Sequence, residues 1–151
     1  MKLQPGVDFI GISTSFYCVD AEGYLLLHRR SAGCRDNHGT WDCGGGRHEH
    51  PISIEDNVYK EVLEEYGCKG EIIDRLPAYD LFSQNAQGQT THWIALPHIV
   101  RINRGEERVM EPDKCDGLAW FPLSDLPHPL HPGVIEALAR YRDQIACHVR
   151  S

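Results

Sequence analysis

The chain predicts an α/β fold in which a mixed β-sheet carries helices packed on its faces. Three observations predict it: β-rich runs recur along most of the sequence, two segments have helical periodicity, and the elements alternate as β-β-loop-α-β-β-β-α. With 151 residues, the chain is expected to form one domain over residues 1–151 and to bury a core of its own. The composition, 41% hydrophobic, 25% charged and 9% aromatic, is that of a folded globular protein.

The first two strands are read at Phe9–Val19 and Tyr24–Arg30, joined as a hairpin by the turn Asp20-Ala-Glu-Gly23, whose glycine supplies a positive φ. Residues Ser31 to Thr40 are polar and read as a loop. Trp41-Asp-Cys-Gly-Gly-Gly46 extends that loop, and its three glycines allow a backbone approach to a ligand that side chains would block. Ser53 to Tyr66 is the clearest helix: Ser53 is a good N-cap, Asp56 stands three residues on, and Gly67 sits where a left-handed residue stops a helix. An apolar stripe of Ile54, Val58 and Val62, with Leu63 and Tyr66 beside it, turns Asn57, Glu61, Glu64 and Glu65 toward a coherent acidic face.

Two long strands follow, at Glu71–Phe82 and Thr91–Asn103, and Pro97 suits the second to an edge or a bulge. Gly117–Pro122 is a short strand. After the proline-rich stretch Ser124–Pro132, an amphipathic helix runs from Pro132 to Cys147, with Pro132 in the first turn, where a missing N–H costs little.

Several function classes are disfavoured. No apolar run approaches the roughly 20 residues of a membrane helix, and Met1-Lys-Leu-Gln-Pro-Gly6 lacks the regions of a signal peptide, so no membrane role and a cytoplasmic location are expected. Six cysteines with no C-x-x-C pair suggest reduced thiols rather than a zinc ribbon or disulfide framework. A formal charge of −7 opposes binding to a nucleic acid polymer, while a small polyanion can still be held by a local basic cluster or a metal ion.

On the first helix, Glu61 lies one turn from both Glu64 and Glu65, a spacing at which like charges repel by a few tenths of a kcal/mol per pair. Taken alone, such a charge run reads first as a solvated helix face. It is also a set of hard oxygens of the kind Mg²⁺ or Mn²⁺ prefers, and Mg²⁺ commonly completes its shell with water and substrate phosphates.

The preceding segment favours the second reading. Gly46-Arg-His-Glu-His-Pro-Ile52, then Ser53 to Tyr59, then Lys60-Glu-Val-Leu-Glu-Glu-Tyr-Gly-Cys68 resembles the signature of the Nudix hydrolases, G-x5-E-x7-R-E-U-x-E-E-x-G-U with U apolar. Gly46, Glu61, Val62, Glu64, Glu65, Gly67 and Cys68 fall on matching positions without a gap. Ile52 and Lys60 depart from the family's Glu and Arg, a pair that braces the loop against the helix; a lysine cannot make the bidentate fork of an arginine. Beyond the box the likeness is one of pattern: Tyr24–Arg30 resembles the family's early strand, and Glu111–Pro127 its closing loop and strand.

The resemblance implies an α/β/α sandwich and the Mg²⁺-dependent hydrolysis of a diphosphate linkage in a small nucleotide, either a nucleoside triphosphate or a nucleotide sugar. It implies Glu61 and Glu65 as metal ligands, Glu64 as a third, and a backbone carbonyl from Gly45 or Gly46 to complete the shell. The general base comes either from the helix, at Glu64 or Glu65, or from a late loop, where Glu111 is the first candidate ahead of Asp113 and Asp116. Arg29, Arg30 and Arg47 are candidates to hold phosphates, each with an exposed salt bridge as its bland alternative. Trp93 or Phe82 is a candidate to stack on a base. His48 and His50 are expected to be simply exposed, and Cys43 to be a small buried thiol. A non-catalytic nucleotide-sensing domain and an isopentenyl-diphosphate-isomerase-like enzyme are the alternatives, and a homodimer is compatible with all three.

Overall fold

The computed structural model describes residues 1–151. Ten elements follow in chain order: β1 (Gly11–Val19), β2 (Leu25–Arg30), β3 (Trp41–Asp42), β4 (Gly44–Arg47), α1 (Ile54–Tyr66), β5 (Glu71–Arg75), β6 (Tyr79–Gln84), β7 (Thr90–Arg101), β8 (Cys115–Phe121) and α2 (Pro132–Ala146). All eight strands join one mixed sheet with the path β3-β2-β1-β7-β5, while β4 pairs with β1, β6 with β7 and β8 with β2. The pairing of β1 with β7 is parallel over Gly11↔Trp93 to Val19↔Arg101; the other pairings are antiparallel.

Alternation along β1 divides the core. Phe16 and Cys18 face α1 and pack with Leu26, Val58, Val62, Tyr66, Val100 and Ile102. Tyr17 and Val19 face the other way, into a cluster with Leu25, Leu27, Ile99, Val134, Ala137 and Ile145 under α2. A strand buried on both faces needs apolar side chains at consecutive positions, and Phe16 to Val19 supplies four. The result is the expected α/β/α sandwich.

Several expectations are revised. The hairpin of β1 and β2 is only two pairs long, Cys18↔Leu26 and Val19↔Leu25, because the first half of β1 pairs with β4 instead. The tract 41–46, read as a loop, is strand on either side of Cys43: β3 lies on β2 and β4 on β1. The long run 71–82 is two strands, β5 and β6, separated at Leu76-Pro-Ala78. Pro97 lies in the buried interior of β7, neither at an edge nor in a bulge of its own strand. It falls where one side of β7 passes from β6, paired through Ala95, to β5, paired from His98, so its missing N–H removes no bond of either ladder.

Helix α1 starts and stops as its sequence dictates. The Ser53 side chain accepts from the Asp56 N–H, and Gly67, at φ 67°, closes the helix by donating to the Leu63 carbonyl. Its faces differ from the expected division. Ile54 and Leu63 are exposed, whereas Asn57 and Glu61 are buried. The helix packs against the glycine strand, whose missing side chains leave room for Glu61 beside Gly46, while the Asn57 amide donates to Thr14 on β1. Helix α2 is capped by His131, which accepts from the Gly133 N–H, and is kinked at Tyr141 (φ −130°, ψ 24°). No helix is long and apolar enough to cross a membrane.

Candidate active site

The site begins with β4. Its register with β1 pairs Gly46 with Thr14, Gly45 with Ser15 and Gly44 with Phe16. In an antiparallel ladder alternate residues point their amides and carbonyls away from the partner. The His48 N–H donates to the Ile12 carbonyl, which puts the even-numbered residues of β4 in the ladder, and the Gly45 N–H accordingly turns outward to donate to Glu65 Oε2 at 3.0 Å. In an extended residue the carbonyl leaves on the same side as the N–H, so Gly45, rather than Gly46, offers a free carbonyl beside the carboxylates. Gly46 serves by lacking a side chain: a Cβ there would lie 2.8 Å from the Glu61 carboxyl.

Glu61 and Glu65, four residues apart, therefore converge on the glycine strand. Glu61 is 8% exposed. Burial, and next the charge of Glu64, raise its carboxyl above the usual range. Burial raises Glu65 well above that range, opposed by the Gly45 N–H and reinforced by the charges of Glu61, Glu111 and Asp42. Glu111 is thus within electrostatic range of both helix carboxylates. Its loop is fixed by Ser31, whose hydroxyl donates to the Asp113 carbonyl, and by Gly33, where a Cβ would meet that same oxygen. The Glu111 carbonyl accepts from the Cys115 N–H at the start of β8, and its side chain lies 3.8 Å from Lys114.

Glu64 points the other way. It is exposed and lies 3.1 Å from Lys60 Nζ. Lys60 also reaches Glu49 at 3.1 Å and Glu61 at 3.9 Å, and its ammonium is held above the usual range by Glu64 first and then Glu49. The loop before α1 is thus braced after all, from position 49 rather than 52. A lysine's flexible stem reaches a carboxylate that a motif alignment does not anticipate. The Glu49 N–H also donates to Asn57 Oδ1, while the Asn57 amide donates to Thr14 Oγ1 at 2.7 Å, tying loop, helix and strand together.

The donor set suits a hard cation: two carboxylates, a free backbone carbonyl and a cradle kept open by glycine. No three His, Cys, Asp or Glu side chains converge on one point, so a cation here would take part of its shell from the Gly45 carbonyl, water and substrate oxygens.

A cavity of about 200 Å³ opens beside Glu65. Its lining includes Gly44, Gly45 and Gly46, Ser13 and Ser15, His28, Arg30, Asp42 and His131 at one end, and Tyr79, Leu81 and Ala95 at the other. Of the three candidate arginines only Arg30 lines it, and Arg30 is held by Asp36 at 2.9 Å and Asp42 at 3.5 Å. Arg29 and Arg47 are exposed and point elsewhere, since alternation on β2 sends Arg29 to the face opposite Arg30. Neither proposed stacking residue lines the cavity. Trp93 is covered by Gly6 and Gly11, and Phe82, 63% exposed, stacks on His92 with ring centroids 4.4 Å apart. Tyr17 and Tyr79 are the aromatic residues that line it. Cys43 also lines the cavity, with its thiol pushed well up by burial, as suits an inert group. His48 is half-buried with an unpartnered Nδ1, and His50 is exposed.

Sequence reading missed His28, Asp42 and His131. His28 pairs with Asp42 across β2 and β3, and its Nδ1 lies 2.9 Å from the Tyr66 hydroxyl. None of the three carries a local motif; they meet only where β2, β3 and the start of α2 come together.

This fold and acidic helix define a Nudix protein, and comparison agrees: the family model for the NUDIX domain matches residues 11–141, so the chain belongs to the Nudix family, that of the Nudix hydrolases. Among its relatives is the human 8-oxo-dGDP phosphatase NUDT18, 25% identical over 152 residues, which cover 95% of this chain. The chain spans 42% of the length of that relative. Among solved structures, the MutT NUDIX hydrolase from Burkholderia pseudomallei is 32% identical, with a TM-score of 0.73 over 85% of this chain and 95% of that one. The NUDIX domain of Shewanella oneidensis NrtR, solved with ADP ribose, shares the fold at 17% identity and a TM-score of 0.70, over 90% of this chain and 88% of that one.

Proposed function

We propose that residues 1–151 form one hydrolase domain that cleaves a diphosphate linkage in a small nucleotide with the help of Mg²⁺ or Mn²⁺. The observation that supports it most directly is the convergence of Glu61 and Glu65 on the Gly44–Gly46 strand at the mouth of the cavity. When bound, the cation neutralises charge developing on phosphate oxygens and lowers the pKa of water. Glu61, Glu65 and the Gly45 carbonyl would hold it.

The chain's own groups do the rest. The Gly45 N–H fixes the Glu65 carboxyl and the Asn57–Thr14 bond fixes the helix on β1, so the two carboxylates are oriented before a substrate arrives. Glu111, on a loop anchored to Ser31 and within electrostatic range of Glu61 and Glu65, would take a proton from the attacking water. Glu64, already paired with Lys60, serves the brace more directly than the chemistry. The similar proteins carry names that speak of an 8-oxo-dGDP phosphatase and an ADP-ribose complex, which supports nucleotides as the class to test.

The experiment is a turnover panel with Mg²⁺ or Mn²⁺ over nucleoside di- and triphosphates, nucleotide sugars and non-nucleotide diphosphates. Hydrolysis of one nucleotide set, lost in Glu65→Gln, is the expected result. Tight nucleotide binding with no turnover would reveal a sensing domain instead, and turnover of non-nucleotide diphosphates alone would remove the nucleotide reading.

A further inference from the structure

Asp42 sits in the cavity wall with a side chain 14% exposed. A carboxylate there can take its donors from the protein, from water or from a ligand in the cavity. The protein supplies few. Arg30 reaches one oxygen, but at 3.5 Å, because its closer contacts go to Asp36: Nη2 to the carboxylate at 2.9 Å and Nε to the backbone carbonyl at 3.1 Å. Oδ1 faces His131 Nδ1 at 3.6 Å. That nitrogen accepts the Gly133 N–H at 3.0 Å, so it carries a lone pair there rather than a proton. Two acceptors face each other, so no hydrogen bond from the protein reaches Oδ1, which is open to the cavity and takes its donors from water or from a ligand.

The remaining walls describe what would supply one. At about 200 Å³ the cavity is below the usual range for a whole drug-sized ligand, so it takes one ring system, and Tyr79, Leu81 and Ala95 give that ring an apolar side. Glu65, the proposed cation ligand, lines the same cavity, so a ring held here stays attached to phosphates at the glycine strand. A carboxylate is acceptor-only and spans two adjacent donors. Guanine presents such a pair on one edge, N1–H and the N2 amine. Adenine has no such pair, and inosine's base keeps only the N1–H.

We propose that Asp42 is a specificity-determining residue that accepts from the paired N–H donors of a guanine-type base. This rests on the nucleotide reading above, and the test separates the two. In the wild type, guanosine di- and triphosphates are compared with the inosine and adenosine compounds and with 2′-deoxyguanosine substrates, and GMP and IMP binding is measured by calorimetry. The expected result is a guanine preference of about tenfold or more in kcat/KM, with GMP favoured over IMP and no dependence on the ribose hydroxyl. Asp42→Asn, which keeps the shape but turns one acceptor into a donor, should bring guanine down to the inosine level while thermal melting shows a folded protein. Equal use of the three bases by the wild type, a guanine preference that survives Asp42→Asn, or a preference that follows the ribose hydroxyl would each overturn the assignment while leaving nucleotide hydrolysis intact. Failure of every nucleotide beside turnover of a non-nucleotide diphosphate would overturn both readings. The wild-type comparison decides the matter even if the variant does not fold.

Discussion

Replacing Glu49 by Gln tests whether the loop before α1 is held by a substitute for the motif's brace. Lys60 Nζ lies 3.1 Å from Glu49, with side chains 36% and 49% exposed. Two unit charges at that distance attract by about 1.3 kcal/mol in bulk water, and the cost of ordering two long side chains reduces this to about 0.5 kcal/mol, inside the range measured for exposed pairs. The melting temperature should fall by only about 1–2 °C. The larger effect is on the site. Without Glu49, the ammonium is left with Glu64 at 3.1 Å and Glu61 at 3.9 Å, and it competes for the carboxylate a cation would use. Mg²⁺ affinity, read by calorimetry, should fall by about two- to fivefold, the equivalent of 0.5–1 kcal/mol. Ile52→Glu combined with Lys60→Arg, which restores the motif's own pair, should recover that loss in the Glu49→Gln background and keep or improve activity in the wild type. Ile52→Glu alone should gain less, since Lys60 is a point charge already shared with Glu49 and Glu64. A double-mutant cycle on Glu49 and Lys60 that is additive to within about 0.3 kcal/mol would refute the brace.

Glu65→Gln should abolish most cation binding while leaving the fold intact; calorimetry that gives equal Mg²⁺ affinity for variant and wild type would remove Glu65 from the site. The metal-free protein should lose stability as pH rises. The carboxyls of Glu61 and Glu65 are raised in the folded state, so their contribution is fully present below the unfolded value near 4.3 and is lost as pH climbs through the raised ones. Melting curves of metal-free protein across that window should show the decline, and Glu65→Gln should flatten it; an unchanged slope would contradict the assignment. Gly46→Ala puts a methyl 2.8 Å from the Glu61 carboxyl, which must swing away. Folding should weaken by about 1–3 kcal/mol and cation affinity by about tenfold, the scale seen when groups that orient ligands are lost; an alanine variant with full affinity would show that Gly46 is not part of the cradle.

Helix α1 was determined by local chemistry. Ser53, the spacing of Val58 and Val62, and Gly67 fix its start, its buried stripe and its end, because caps and periodicity act within a few residues. The positions of Glu61, Glu64 and Glu65 followed from the same helix. Which of the three faces inward was decided only by tertiary packing: the glycine strand approaches on the side of Glu61 and Glu65, and Lys60 holds Glu64 outside. Three glycines in a row carry no pattern of alternation, so β4 had no strand signal of its own and became one by pairing with β1. Pro97 read as an edge for a related reason, since a missing N–H is tolerated wherever no ladder bond is due, and the break between β5 and β6 that provides such a place is fixed by three strands together. Arg30, Glu49 and Asp42 depended on contacts between different elements and loops, such as Arg30 with Asp42, Glu49 with Lys60 and Asp42 with His131. Local sequence sets which groups an element can present; the distances that pair them arise only when the sheet and both helices close on one another.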